Sequence, residues 1–125
     1  MRLSALALLS LVAYPALAEE KPPVCQNAQG VIEQIECFNQ ELKVADANLN
    51  ATWRRVIAEH PSGGVKEEHT KDIRAAQRAW IAFRDTDCEA KSKIGIPKYW
   101  ELNRVVCLYE MTKSRTADLK EVYLF

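Results

Sequence analysis

Residues 76–88, A-Q-R-A-W-I-A-F-R-D-T-D-C, hold the side chains of this chain best suited to chemistry, with Arg84, Asp85, Asp87 and Cys88 beside Trp80. Two carboxylates in such company suggest general acid and base work on a glycosidic bond, while the cysteines of an exported chain are expected to be oxidised and so no nucleophiles. A helix defeats the first idea, because Asp85 and Asp87 stand two positions apart and diverge, while Glu67 and Glu68 are adjacent. His60 and His69 lie nine positions apart across a turn, and zinc there would need carboxylates that read equally well as solvated surface. Neither G-x-S-x-G nor H-E-x-x-H occurs. The expectation is a binding protein, not an enzyme, with no catalytic residues, no metal and no cofactor.

The elements that must position these residues begin with an export signal. Arg2 precedes an apolar stretch over residues 3–14, and Ala16, Leu17 and Ala18 supply the small residues of a cleavage site. Residues 1–18 are read as a signal peptide and residues 19–125 as one helical domain. The apolar stretch falls short of the roughly 20 residues that span a bilayer, so no membrane anchor is expected. A soluble periplasmic or secreted protein follows. Removing Arg2 with the signal leaves 16 of the 17 Lys and Arg against 17 Asp and Glu, with no basic block, which speaks against nucleic acid as a partner.

Four cysteines in an exported domain of 107 residues, the 125 less the first 18, point to two disulfides rather than to a metal. Cys25 with Cys37 and Cys88 with Cys107 is the preferred pairing, since each pair brackets one chain reversal. Cys37 with Cys88 stays open, because a hairpin about Gly63 and Gly64 brings those two to one level.

Apolar residues recur in alternating steps of four and three. Val31, Ile35, Phe38, Leu42, Ala45, Leu49 and Val56 write a first helix over about residues 31–59, stopped by Pro61 and the glycines beyond it. Ile73, Ala76, Trp80, Phe83 and Asp87 write a second over about residues 66–92, bordered by the row Gln77, Arg84 and Cys88. After an interruption at residues 94–97, Val105, Leu108, Thr112, Arg115, Leu119 and Val122 write a third. The fold class is all-α: a small three-helix antiparallel bundle tied by two disulfides, or a four-helix one if residues 23–30 form an element of their own. The run at residues 76–88 becomes its central helix, with Trp80 and Phe83 in the core.

The spacing of Cys37, D-A-N-L-N at residues 46–50, the run at residues 76–88, then Cys107 with Thr112 and Arg115, resembles the LprI-like lysozyme-inhibitor family of small exported bacterial proteins. The resemblance covers about residues 25–119. It implies inhibition of lysozyme and a protein partner, a lysozyme or another peptidoglycan hydrolase. Gly30 stands where the family usually has a capping Thr, Trp53 where a Tyr is common, and the lipidated cysteine of some members is missing.

Arg84 borders the buried stripe, so its guanidinium needs a partner. A charge cluster of Asp46, Arg84, Asp85 and Arg115 is expected to fix the register of the helices. Two loops are candidate partner-binding segments: His60, Ser62, Gly63 and Gly64 at one tip, and Lys93, Ile94, Gly95, Ile96 and Lys98 at the other. The second is preferred, because a loop tethered beside Cys88 loses less entropy on binding. Residues 19–60 carry seven acids and four bases, a mild asymmetry that attracts a basic partner. Two other roles fit the sequence: a chaperone-like envelope protein that holds exported clients, and an immunity protein against a cell-wall-degrading toxin.

Overall fold

The computed structural model describes residues 24–60 and 67–124; residues 1–18, expected to be a signal peptide, and Ser62, Gly63 and Gly64 lie outside them. Three helices account for most of the described chain: α1 (Gly30–Glu59), α2 (Glu67–Ser92) and α3 (Trp100–Tyr123), with one 3-10 turn at Pro97–Tyr99 before α3. No strand occurs among the described residues. α1 and α3 run parallel to each other and antiparallel to α2, so His60 at the end of α1 meets Tyr123 at the end of α3, with His60 Nε2 3.2 Å from the Tyr123 carbonyl oxygen.

Local chemistry explains the boundaries. Gly30 opens α1 at φ +82°, a left-handed conformation that glycine enters without penalty and that a β-branched residue would resist. Just before it, the Gln29 N–H donates to Glu33 Oε2 at 2.8 Å, so a carboxylate of the first turn caps the start of the helix. α1 stops at His60, whose N–H still reaches the Val56 carbonyl at 3.0 Å, because Pro61 follows. At the far end of α2, Lys93 and Ile94 bond back three residues rather than four, Gly95 turns the chain at φ +91°, and Pro97 starts the 3-10 turn.

Residues 24–27 form a turn closed by the Ala28 N–H on the Cys25 carbonyl at 3.1 Å, and no fourth helix precedes α1 among the described residues. Disulfides join Cys25 to Cys37 and Cys88 to Cys107, with Cα–Cα distances of 5.9 and 5.5 Å. The Cys37–Cys88 pairing is thereby excluded. Each bridge stabilises the bundle by roughly 2 to 4 kcal/mol.

α3, not α2, is the helix that packs on both others; α1 and α2 touch little directly. The run at residues 76–88 therefore flanks the centre rather than forming it. The apolar core lies where the C-terminal halves of α1 and α3 meet the start of α2. Leu49, Val56, Ile73 and Leu119 are buried there, with Trp53, Ile57, Trp80, Tyr123 and Leu124 packed around them. Burying a side chain as fully as Leu119 contributes roughly 1.5 to 3 kcal/mol. Nearer the disulfide end, Val105 is buried and the rings of Phe38 and Tyr109 meet edge to face with centroids 5.7 Å apart.

The buried face of α2 is rotated by about one residue from the apolar stripe. Thr70, Ile73, Gln77, Cys88 and Ser92 are buried, whereas Ala76 is exposed and Phe83 is 57% exposed. Phe83 is thus a surface residue, and the row that was read as the border is the one that faces α3.

Candidate functional site

The signature residues on α2 are placed by that rotation. Arg84 points toward the junction of all three helices, where Nη1 donates to Asp46 Oδ1 of α1 at 3.2 Å and to Thr112 Oγ1 of α3 at 3.0 Å. Its Nε and Nη2 both lie 2.9 Å from Asp85 Oδ1. The guanidinium also sits over the Trp80 ring, 5.3 Å from its centroid. Arg115 of α3 reaches the same ring at 5.7 Å and donates from Nε to Gln77 Oε1 at 2.9 Å. Asp46, Arg84 and Asp85 therefore form one cluster, and Arg115 is linked to it through Trp80 rather than through a carboxylate. Asp87 turns aside to pair with Lys91 at 2.5 Å.

Such an arrangement is suited to holding helices in register. Arg84 is engaged with both other helices and with the next residue, and Thr112 at the centre of the cluster is fully buried. Below it lies a sulfur cluster: Met111 Sδ is 3.5 Å from Cys88 Sγ and 3.9 Å from Cys107 Sγ. Both cysteines are oxidised and have no thiol proton to donate, so these are packing contacts.

The reversal at residues 93–99 presents a different surface. Ile94 is 73% and Ile96 62% exposed, and Tyr99 and Trp100 are exposed beside them. Four large apolar side chains within seven residues are the densest such group on the described surface. The loop is nevertheless held from several sides. Trp100 Nε1 donates to the Gly95 carbonyl at 3.3 Å, Tyr99 N–H to the Ile96 carbonyl at 3.0 Å, and Asn103 Nδ2 to the Ser92 carbonyl at 3.4 Å. Ser92 Oγ closes back on the Glu89 carbonyl at 2.8 Å, and the Cys88–Cys107 bridge ties the two helices just beneath.

The charges of the loop are unequal in their commitments. Lys93 Nζ pairs with Glu89 Oε1 at 2.8 Å, and this hydrogen bond with its charge holds the Glu89 carboxyl below the usual carboxylate range. Lys98 Nζ lies 5.0 Å from the centroid of the Tyr99 ring and pairs with no carboxylate among the described residues. At the base of α3, Arg104 donates to both carboxylate oxygens of Glu101 at 3.0 and 2.8 Å, lowering that carboxyl's pKa and raising its own.

At the opposite tip, His60 and His69 face each other edge to face at 5.6 Å, and Thr70 Oγ1 donates to the His60 carbonyl at 2.9 Å. Ser62, Gly63 and Gly64 lie outside the described residues, so only His60 of that candidate loop has a described position. Among the described residues, no group of three or more His, Cys, Asp and Glu is placed to hold a metal.

Sequence reasoning missed the clamp of Trp100 on Gly95 and the part of Tyr99 in the apolar surface. An aromatic pair directly after Gly-Ile-Pro-Lys was the available signal. It also missed a shallow groove between α1 and α3 lined by Val44, Ala45, Asn48, Lys113, Thr116 and Lys120. Of these only Ala45 belongs to the apolar stripe; the rest are polar residues or lie off it, so hydropathy alone does not mark the groove.

The sequence matches the family model described as Lysozyme inhibitor LprI over residues 25–119. It is 35% identical over 127 residues to the uncharacterized protein R02472 of Rhizobium meliloti (strain 1021), covering 94% of this chain and 91% of that one. It is also 32% identical over 96 residues to the uncharacterized protein YecT of Escherichia coli (strain K12), covering 67% of this chain and 59% of that one. No solved structure matches. The family match spans both disulfides, the Arg84 cluster and the braced loop together, and on that extent the chain belongs to the LprI lysozyme-inhibitor family.

Proposed function

We propose that this protein is an exported inhibitor of lysozyme or of a related peptidoglycan-cleaving enzyme, acting by seating the loop at residues 93–98 in the active-site cleft. The observation that carries this reading is the contrast within that loop: Ile94 and Ile96 are exposed, while the backbone that bears them is braced by Trp100, by the 3-10 turn and by the disulfide beneath. A preformed protrusion loses little conformational freedom when it enters a concave site, which is the property an inhibitor requires. Export is supported by the signal-like residues 1–18 and by two disulfides, which persist in oxidising compartments. No helix among the described residues is long and apolar enough to cross a membrane.

The protein acts in this reading as a binder and not as an enzyme, with Gln77 and Arg84 of the signature bonded to side chains of the other helices. Titration of the mature chain against lysozymes of several types tests it. One-to-one inhibition in at least one pairing is expected, and no inhibition of any type at micromolar concentration would sink the reading. The same exposed apolar loop also favours a second role, the holding of unfolded exported clients. That role predicts capture of denatured proteins and no stoichiometric complex with a folded hydrolase.

A further inference from the structure

The two lysines of the braced loop differ in a way that bears on its target. Lys93 is bonded to Glu89 one turn back, an i, i+4 pair at 2.8 Å that occupies its ammonium within the chain. Lys98 has no such partner among the described residues. It follows Pro97 in the 3-10 turn, where the Tyr99 N–H on the Ile96 carbonyl and the Trp100 N–H on the Pro97 carbonyl fix its backbone. Its ammonium lies over the Tyr99 ring, which restrains the long side chain without neutralising it. Exposed Ile94 and Ile96 lie just before it in the same reversal. A cation held on an aromatic ring in a reversal that also exposes two isoleucines is suited to meeting an anion from which water is then excluded.

From this asymmetry we infer that Lys98, and not Lys93, is the side chain that pairs with a carboxylate of the target, and that the target site is a hydrolase cleft lined by acidic residues. The inference rests on the reading of the loop as an inhibitory element. A glycosidase cleft carries two carboxylates by the nature of its reaction, so a restrained ammonium entering it finds a charge partner at the place where blockage matters most. Ile94, Ile96 and Trp100 would close around the pair and shield it from solvent, while Lys93 stays with Glu89 at the rim.

The test compares the wild-type mature chain with Lys98→Met, Lys98→Arg and Lys93→Met in inhibition of a retaining lysozyme, with far-UV circular dichroism to verify that each variant is folded. Removing one partner of a desolvated pair predicts an inhibition constant weakened by about 30-fold in Lys98→Met. Lys98→Arg keeps the charge and recovers part of that loss, and Lys93→Met changes the constant by less than about 3-fold, as expected of a rim charge. Equal inhibition by Lys98→Met and wild type overturns the assignment of Lys98 while the loop reading stands. Equal losses in Lys98→Met and Lys93→Met overturn it as well, since they signal diffuse charge attraction. A wild-type chain that inhibits nothing removes the loop reading and this inference together.

Discussion

α3 meets its two neighbours through different chemistry. Against α1 the contact is largely apolar, with Leu119, Leu49 and Val56 buried together and Tyr109 against Phe38. Against α2 it is largely polar and covalent: Thr112 with Arg84, Arg115 with Gln77, Asn103 with Ser92, and the Cys88–Cys107 bridge. Apolar contacts are non-directional and hold elements together at many registers, whereas hydrogen bonds and a disulfide admit one. The first interface supplies most of the cohesion of the bundle; the second fixes where α2 ends, and hence where the loop at residues 93–98 is presented.

Leu119→Ala attacks the first interface at its most buried point and should cost about 4 kcal/mol, the range of Leu-to-Ala cavities in a packed core. Denaturant unfolding measures it, and a cost below about 1 kcal/mol would show that α1 and α3 do not depend on this contact. Replacing Cys88 and Cys107 by Ala attacks the second interface and should cost about 3 kcal/mol for a loop of this length. The two variants should differ in kind as well. The disulfide variant should lose the proposed inhibition before it loses helical content, because the loop is released first.

Arg84→Met is the next step down, with an expected cost of about 1 to 2 kcal/mol. It removes three hydrogen-bonding partnerships but leaves no stranded charge, since the Asp46 side chain is 43% exposed and can turn to water. A double-mutant cycle of Arg84→Met with Asp46→Asn should give a coupling below about 1 kcal/mol for the same reason. A larger coupling would mean that this junction contributes cohesion as well as register, and the contrast between the interfaces would blur.

The helices, their order and the disulfide pairing that was preferred follow from the four-and-three apolar step and from the cysteines' positions about the chain reversals. The face of α2 does not. Hydropathy marks Ala76 and Phe83 along with Trp80, yet beside Trp80 the inward row is Thr70, Ile73, Gln77, Arg84, Cys88 and Ser92, because its polar members find partners: Gln77 on Arg115, Arg84 on Thr112, Thr70 on the His60 carbonyl. A satisfied polar row is invisible to a pattern that counts apolar residues. The same blindness assigned the run at residues 76–88 to the centre of the bundle, a place held by α3. The loop was legible as a tethered basic turn, but the unequal engagement of its lysines depends on Glu89 lying one turn back and on the direction taken by Lys98. Phe83→Ala tests the rotated face, since a residue 57% exposed should cost no more than about 0.5 kcal/mol on truncation, against about 3 kcal/mol or more for a core phenylalanine.

Acid should distinguish the two interfaces least of all. Glu101 is the partly exposed carboxyl held below its ordinary value of 4.5, chiefly by the hydrogen bond from Arg104, and the pair stands at the base of α3. A carboxyl depressed in the folded state binds fewer protons there than in the unfolded chain. Its contribution is therefore fully present above the unfolded value and is lost as pH falls through the lower folded one. Its side chain is 50% exposed, so water screens the pair and the loss should stay below about 0.5 kcal/mol. Comparing Glu101→Gln with wild type by denaturant unfolding at pH 7 and pH 3 isolates it: the small difference at pH 7 should shrink at pH 3. A difference of several kcal/mol at pH 7 would place this ion pair among the contacts that hold α3 in position, and the cohesion assigned to Leu119 and its neighbours would then have to be shared with it.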